Sequence, residues 1–358
     1  MAARSKIKRH EKQAPILKII NNSFFRLFLT LVIYSNSHVV FAGSKSLCIF
    51  DLLGANGPNY AQMKDYRIAA LAWGVDFQLQ PYMSERNAAA DFKSGFCDAV
   101  SFTGIQSRQF NPFTGTLDAM GAIPSYDHLK IVINTISSEH AAPLMINGPY
   151  EVAGVIPIGA AYLFINDRTL LSSRADKPEN LTKIQVAIMD NDPAQKELVG
   201  LIGTSSVGTS IAEMYTKFNA GLVDVTYGPA VVFEAMELQK GLQSKGGVIR
   251  FQLAQLTLQI MIRKAEFPEK FGEHSRKYTL SQFDKAVKLA NAFEDRIDLH
   301  WWINISEDDQ AQYHEMYRKT RLSLRKKGIY DSKMLTVMRM VRCKKDPNRY
   351  ECSVDNKE

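Results

Sequence analysis

Two stretches of the chain repeat one pattern: Lys93-Ser-Gly-Phe-Cys-Asp-Ala-Val-Ser-Phe-Thr-Gly104 and Phe218-Asn-Ala-Gly-Leu-Val-Asp-Val-Thr-Tyr-Gly-Pro229. In each, an amphipathic helix runs into a glycine, Gly95 or Gly221, which suits the left-handed residue that ends many helices. An aspartate follows three residues later, and then a short β-rich run typical of a buried parallel strand. Two such units predict two α/β lobes. Ligands bind such sheets outside the carboxyl ends of the strands, so two facing lobes predict a cleft.

The first 42 residues have the organisation of a secretory signal. Six of their Lys and Arg residues lie between Arg4 and Lys18, and a largely apolar run follows from Phe24 to Ala42. That run is interrupted by polar residues and is too short for a comfortable membrane span, which needs ~20 residues. Small residues precede Gly43, as a signal peptidase requires. We predict a cleavable signal that is cut after Ala42, with an uncleaved N-terminal anchor as the alternative.

The positive charge of the chain belongs to this leader. The whole chain has 44 Lys and Arg against 37 Asp and Glu, and the leader holds seven of the former and one of the latter. The rest therefore has 37 basic and 36 acidic residues. The sequence pI of about 9.0 is then no evidence for nucleic-acid binding. We expect no nucleic-acid partner.

The chain after the leader is too long for one core, because cores stop growing near ~250–300 residues. We therefore predict a division into lobes. The expected segments are a first α/β lobe at 43–137, a second at 138–254, a return crossover with C-terminal helices that pack on both lobes at 255–330, and a tail at 331–358.

The four cysteines all lie in the exported part. Export to an oxidising compartment permits disulfides. Cys343 and Cys352 flank a turn, so a local bridge between them is easy. Cys48 and Cys97 lie in predicted neighbouring strands, where either a disulfide or two buried free thiols is possible. No spacing resembles a zinc site, and we predict neither a metal nor a cofactor.

Local patterns predict an alternation of strands and helices. Strands are expected at 47–53, 76–82, 97–102, 128–134, 161–165, 183–189 and 222–227, a β-rich run at 248–262, loops or a crossover at 138–160, and helices at 59–73, 84–93, 194–201, 210–220, 278–302 and from Ser306 to near Gly328.

Parts of this sequence pattern resemble those of a known protein family. Segment 161–229, with Lys177-Pro-Glu-Asn-Leu181 leading into Lys183-Ile-Gln-Val186, is similar to the second lobe of TRAP-type periplasmic solute-binding proteins. The pair Trp301-Trp302 before a helix with Gln310 and Gln312 is similar to the C-terminal helices of that family. The resemblance covers most of 45–330. It implies a type II periplasmic-binding-protein fold, with two α/β lobes and a ligand cleft closed by hinge motion.

The chain departs from this family at two positions. The resemblance places Gln185 where TRAP binding proteins typically carry an arginine that clamps a substrate carboxylate through a bidentate fork. Gln185 cannot supply that charge, although it remains a candidate ligand-binding residue beside the alternative of a satisfied strand polar group. The family often has asparagine where this chain has Gly228. A simple dicarboxylate or sugar-acid ligand is therefore not what the sequence indicates.

Other candidate ligand-binding residues follow predicted strands. The glycine-containing loop after the first strand brings Asn59 and Tyr60 toward the predicted cleft, unless it is an ordinary strand–helix turn. Thr103, Gln106 and Arg108 follow the third strand. Arg108 is the candidate partner for an anionic group, with a surface arginine as the alternative.

The second lobe supplies the remaining candidates. Asp190 and Asn191 end a strand and are predicted to bind ligand hydroxyl or amine groups, with a helix N-cap as the alternative. Tyr227 and Trp301, or its neighbour Trp302, are candidates for stacking on a ligand, although such aromatics are more often core residues. Asp98 and Asp224 precede their strands and are therefore expected to be structural.

No arrangement of residues predicts catalysis. The segment 203–208 lacks the Gly-x-Ser-x-Gly pattern, and the five histidines after the leader have no triad or metal spacing. The basic run Arg318–Lys327 indicates a solvated helix face, or a membrane or permease contact. The sequence predicts a periplasmic solute-binding protein that captures a small polar ligand and presents it to a membrane permease or sensor. The alternative is an accessory or scaffold protein of the same fold that acts through protein contacts.

Overall fold

The computed structural model describes residues 43–172, 183–354 and 358. These residues belong to one compact unit, Ala42–Glu358, and the fold below is the fold of that unit. The predicted signal at 1–42 and the segment 177–181, which carries part of the family resemblance, lie outside the described residues.

Eleven strands of the described part form one mixed sheet. Their order is β2-β1-β3-β10-β5-β8-β6-β7, with the short strands β4, β9 and β11 paired at its margins. Their bounds are β1 Gly43–Phe50, β2 Val75–Tyr82, β3 Ala99–Thr103, β4 Ile146–Asn147, β5 Tyr150–Ile165, β6 Gln185–Met189, β7 Ser205–Thr209, β8 Val225–Pro229, β9 Gly247–Ile249, β10 Ala254–Arg263 and β11 Trp302–Ile303.

Helices cover the faces of the sheet. The α-helices of the described residues are α1 Pro58–Leu71, α2 Glu85–Ser94, α3 Gly104–Ser107, α4 Pro112–Gly115, α5 Tyr126–Ile136, α6 Thr169–Ser172, α7 Pro193–Ile202, α8 Ile211–Asn219, α9 Val231–Ala235, α10 Gln239–Leu242, α11 Phe271–Ser281, α12 Phe283–Glu294, α13 Glu307–Lys326, α14 Ser332–Lys345 and α15 Tyr350–Ser353. Short 3-10 turns lie at Gly54–Asn56, Glu139–Met145, Lys264–Glu266 and Leu299–Trp301.

Two long antiparallel strands join two parallel groups. Strands β1, β2 and β3 are mutually parallel, and so are β6, β7 and β8. Between them, β5 and β10 pair from Ala161–Ala254 to Tyr150–Arg263. We call the part built on β1–β3 the first lobe and the part built on β6–β8 the second lobe. The sequence-derived bounds of the lobes stay a prediction, since β5 and β10 contribute to both.

The repeated pattern of the sequence forms the same structure twice. Helices α2 and α8 are each followed by a glycine in the left-handed region, Gly95 at φ 90° and Gly221 at φ 69°. Asp98 then accepts a hydrogen bond from the backbone N–H of Ser46 at 2.8 Å, and Asp224 accepts one from Gln185 at 2.8 Å. Each aspartate thus ties the start of its own strand to the start of the parallel neighbour, which is a structural role.

Both predicted disulfides are present. Cys48 of β1 is bonded to Cys97, with the two Cα atoms 5.9 Å apart, and Cys343 of α14 is bonded to Cys352 of α15. The alternative of two buried free thiols in the first lobe is therefore wrong. The first bridge closes a loop of 49 residues, so it restricts the unfolded chain more than the second does.

Residues 128–134, predicted as a strand, belong instead to helix α5. Ser125 caps this helix by accepting a hydrogen bond from His128 N, and the buried positions Leu129, Val132, Ile133 and Ile136 follow a helical spacing. The β-branched residues of the segment favoured a strand locally. Burial of one helix face outweighs that preference.

Of the two alternatives for 138–160, loops are wrong for 150–160, which lie in β5, whereas a crossover is right, because β5 runs from the first lobe to its pairing with β8 in the second. The strand accommodates its glycine and proline residues at irregularities of the β5–β10 ladder, one of which lies between Leu256 and Thr257 of β10. Gly159, at φ 119°, adopts a conformation open to glycine.

Three further segments differ from the prediction. The β-rich run at 248–262 is two strands, β9 and β10. The helix predicted at 278–302 is the end of α11 and the whole of α12, which meet at Gln282, and helix α12 ends at Glu294. The predicted tail contains α14 and α15. Arg342 of α14 is fully buried, donates to the carbonyl of Ala122 and pairs with Glu351 and Glu358. The C-terminal segment is thereby attached to the loop before α5.

Candidate functional site

A cavity lies between the two lobes, at the carboxyl ends of β1, β3, β6 and β8. It encloses about 990 Å³ of empty space, part of it open to solvent. Most of its lining is apolar and comes from both lobes and from α12: Phe50, Leu52, Leu53, Pro58, Ile105, Met189, Ile211, Met214, Val231, Val232, Ala235, Met236, Ala286, Leu289, Ala290 and Phe293. The site thus lies where the sheet topology predicts a ligand.

Few polar side chains line this cavity. They are Asp51, Asn59, Gln62, Thr103, Tyr215 and Tyr227. Asp51 is the only charged residue in the described lining, and no Lys, Arg or His contributes to it. An ionic clamp for a carboxylate is therefore absent from the described wall of the cavity.

Asp51 organises the loop between β1 and α1. Its carboxylate accepts hydrogen bonds from the backbone N–H groups of Leu53 at 2.9 Å, Asn59 at 2.8 Å and Tyr60 at 3.2 Å. Burial raises the pKa of Asp51, although these hydrogen bonds oppose the effect. Gly57 makes the arrangement possible, because a Cβ there would lie 1.7 Å from Asp51 Oδ1.

A second, polar space adjoins the cavity, and we call it the vestibule. Its empty volume is about 830 Å³, and it shares Phe50, Met189 and Ile211 with the cavity. Its polar lining consists of Ser84, Glu85, Arg86, Asn87, Gln106, Asp190, Asn191, Thr209, Ser210 and Glu213. The vestibule lies between α2 of the first lobe and the ends of β6 and β7 in the second.

Three polar contacts connect the lobes at this edge. Arg108 Nη1 lies 2.9 Å from Asp192 Oδ1, and Asn191 Nδ2 donates to Gln106 Oε1 at 3.1 Å. Arg86 Nη2 lies 2.6 Å from Asp190 Oδ1. Four of the predicted ligand-binding residues (Gln106, Arg108, Asp190 and Asn191) are thus brought together, and each binds a residue of the opposite lobe. The two lobes are therefore in direct contact beside the cavity.

The Arg108 side chain is held on several sides. Its Nε donates to Gly115 O at 3.1 Å, and its guanidinium carbon lies 5.0 Å from the centre of the Tyr330 ring. Its partner Asp192 also caps α7 by accepting from Ala194 N at 3.0 Å and from Gln195 Nε2 at 2.8 Å. The N-cap that was considered for Asp190 and Asn191 is therefore Asp192.

Glu85 is a site residue that the sequence did not indicate. Its Oε1 accepts from Thr103 N at 2.6 Å, whereas its Oε2 is buried and has no hydrogen-bond partner among the described residues. Burial raises the pKa of Glu85 to about 7, against the opposing effect of the hydrogen bonds from Thr103. In the sequence, Glu85 follows the helix cap Ser84, where an acidic residue is ordinary.

Three predicted site residues lie away from the cavity. Gln185 is at the start of β6, and Met189 at the other end lines the cavity. Four residue steps separate them, which is about 13 Å along a strand. Tyr60 packs into the core of the first lobe, and Trp301 packs on Phe233 at 6.3 Å between ring centres. Asn59, Thr103 and Tyr227 do line the cavity.

Two α/β lobes with a cavity between them define the class of two-lobed binding proteins. Comparison with known proteins agrees. The structure is similar to that of a TRAP periplasmic solute-binding protein from Ralstonia eutropha with bound (S)-2-acetolactate, with a TM-score of 0.67 at 14% identity over 84% of this chain and 99% of that one. A TRAP periplasmic solute-binding protein from Haemophilus influenzae with bound L-gulonate gives a TM-score of 0.67 at 11% identity over 84% of this chain and 98% of that one.

The family is shown by sequence. A family model described as "Solute-binding protein AdeT 1/2" matches residues 67–357. The chain is also 39% identical over 313 residues to "Probable solute-binding protein AdeT1" of Acinetobacter baumannii, which covers 86% of this chain and 100% of that protein. The chain belongs to the AdeT 1/2 family of solute-binding proteins.

Proposed function

We propose that this protein captures a small-molecule ligand in the cavity between its lobes and presents it to a transporter in the membrane. One observation carries the proposal. Both lobes line a single cavity, and beside it residues of one lobe bind residues of the other, as in Arg108 with Asp192. The protein acts in this proposal as a binder and not as a catalyst.

Closure is the proposed mechanism. Strands β5 and β10 both run from one lobe to the other, and bending of them separates the edges that carry Arg108 and Asp192. A ligand that contacts both lobes binds the closed arrangement better than the open one and shifts the population toward it. The closed surface is then the form that a transporter recognises.

Export through a cleavable leader places the protein in the periplasm in this proposal. Two disulfides suit an oxidising compartment. Within the described residues, no helix is both long and apolar enough to cross a membrane. The basic run on α13 is only partly a solvated face, because Arg318 and Arg321 are buried.

The ligands of the structural relatives do not identify the ligand of this chain. Acetolactate and gulonate are carboxylates. Among the described residues, Asp51 is the only charged one that lines the cavity. The shared fold therefore supports ligand binding between the lobes, and the ligand's chemistry has to be read from this chain's own residues.

A thermal unfolding screen of the protein from Gly43 onward tests the proposal. Binding to the folded state stabilises it by an amount that grows with the logarithm of one plus the ratio of ligand concentration to Kd, and so raises the unfolding temperature. We expect a saturable rise with one chemical class of a broad metabolite panel, accompanied by a smaller radius of gyration in X-ray scattering. A flat response from a folded sample free of trapped ligand would contradict the proposal and favour the accessory protein that acts through protein contacts.

A further inference from the structure

The cavity is unsuited to an anionic group. An ionised carboxylate that leaves water needs a positive charge or several hydrogen-bond donors. The described wall has no cation, and the carboxylate of Asp51 is an additional negative group. A ligand that fills this space therefore buries an apolar body there.

The two arginines on the vestibule side of the cavity are already paired. Arg86 lies against Asp190 at 2.6 Å, and Arg108 lies against Asp192 at 2.9 Å. Arg86 lines the vestibule and Arg108 an outer groove, and neither lines the cavity. An anionic ligand would have to compete with these carboxylates for either guanidinium.

The vestibule has an excess of acidic groups. Glu85, Asp190 and Glu213 line it, and Arg86 is its one basic residue among those described. A polar group that leaves the apolar cavity on this side therefore meets hydrogen-bond acceptors and negative charge.

Glu85 provides a specific acceptor. The residue is 6% exposed and lines the vestibule, and its buried Oε2 has no hydrogen-bond partner in the described part of the chain. A buried acceptor without a donor is costly, and a donor carried by a ligand would satisfy it. An amine supplies both the donor and the charge that suits this surrounding.

We propose that the ligand of this site is an amphiphilic amine whose apolar body fills the cavity and whose amino group donates to Glu85 in the vestibule. The inference rests on the proposed function and adds the class of ligand. The ligand is polar at one end only, which reconciles the apolar wall with the polar vestibule.

A competition experiment with matched head groups tests the inference. N-phenyl-1-naphthylamine, an uncharged apolar dye, reports occupation of the cavity by its fluorescence. The competitors are 1-octylamine, 1-octanol and octanoate at pH 7.5, which share one chain length and differ in head-group charge. We expect 1-octylamine to displace the dye at the lowest concentration, 1-octanol at a higher one, and octanoate at a concentration at least tenfold above that of the amine.

The variant Glu85→Gln tests whether the preference for the amine depends on the carboxylate of Glu85. It keeps the shape of the side chain and removes the negative charge. We expect the affinity for 1-octylamine to fall to that for 1-octanol, while the concentration of 1-octanol that displaces the dye changes less than twofold. Glu269→Gln, at an exposed position outside both spaces, is the matched control and should leave all three competitors unchanged.

The outcomes separate the two proposals. Octanoate binding as tightly as the amine, or an amine preference that persists in Glu85→Gln, would overturn the inference and leave ligand capture intact. Failure of the dye and of all three octyl compounds to bind would also overturn it, and the metabolite screen would then decide whether ligand capture itself stands.

Discussion

Arg108 Nη1 lies 2.9 Å from Asp192 Oδ1, and this buried ion pair joins the C-terminal end of α3 in the first lobe to the N-terminus of α7 in the second. The side chains are 11% and 3% exposed. Removing one partner of a buried pair leaves the other charge without compensation. The pair therefore stabilises the closed arrangement specifically, because opening separates its partners.

Replacement Arg108→Gln should favour the open arrangement. We expect a larger radius of gyration without ligand and a ligand affinity that is weaker by ~10-fold or more, equivalent to about 1.4 kcal/mol. X-ray scattering and a binding titration measure the two effects. Arg67→Gln is the control, since its pair with Asp76 lies within the first lobe and is exposed. Equal affinities of Arg108→Gln and the unmodified protein would refute this role.

The two ends of β6 should respond differently to truncation. Met189 lines the cavity and Gln185 does not, so Met189→Ala should weaken ligand binding several-fold, whereas Gln185→Ala should leave it within twofold. Calorimetric titration of each variant with the ligand found by screening measures the difference. A large loss in Gln185→Ala would instead restore the ligand-binding role that the sequence suggests for that residue.

Gly57 should not tolerate a side chain. A Cβ at this position would lie 1.7 Å from Asp51 Oδ1, so Gly57→Ala must displace the carboxylate that binds three backbone N–H groups at the start of α1. We expect a loss of about 2 kcal/mol or more in the free energy of unfolding, and weaker ligand binding.

Gly200→Ala is the matched control for this glycine. Gly200 lies within α7, and a Cβ there would meet nothing within 4 Å. Alanine favours a helix over glycine by ~1 kcal/mol, so this variant should be unchanged or more stable in urea unfolding. A stable Gly57→Ala protein with normal binding would show that the loop adapts.

The pKa of Glu85 predicts a pH dependence of stability. Burial raises it from the ordinary 4.5 to about 7, so the folded state binds more protons than the unfolded state between those values. The free energy of unfolding should therefore fall as pH rises through this range. Glu85→Gln should remove on the order of 2 kcal/mol of that fall. Urea unfolding at pH 5 and pH 8 measures it.

A remaining dependence is expected in Glu85→Gln. Asp118 is also buried, and burial raises its pKa to about 7 although it accepts hydrogen bonds from Thr257. The variant should thus reduce the pH dependence without abolishing it. An identical fall in the variant and the unmodified protein would show that Glu85 does not titrate in this range.

Local chemistry was sufficient for much of the fold. The helix caps, the glycines after α2 and α8, and the pattern of short apolar strands predicted two α/β units, and both disulfides were among the alternatives. These signals come from residues close in the chain. The predictions failed where the outcome depends on packing against residues far away in the chain. In α5, the β-branched residues locally favour a strand, but burial of one face against the rest of the fold stabilises a helix.

The candidate site was predictable in part for the same reason. Thr103, Asn59 and Tyr227 follow strands and line the cavity, as strand order and polarity indicated. The family resemblance suggested Gln185 as a ligand-binding residue. It lies four positions along β6 from Met189, the end of the strand that lines the cavity. Glu85 had no distinguishing signal, because its burial depends on how Thr103 and the second lobe cover it.

The sequence by itself determined several helix caps, the glycine ends of α2 and α8, the charge of the leader and the presence of two α/β lobes, because these depend on residues that are close together in the chain. Only the tertiary structure decided the nature of the site. Contact between the lobes pairs Arg108 with Asp192, so that neither side chain is free to bind a ligand. The cavity that remains is apolar and lies beside the buried carboxylate of Glu85. Coulombic pairing and desolvation act between residues far apart in the chain, so they are determined by the fold.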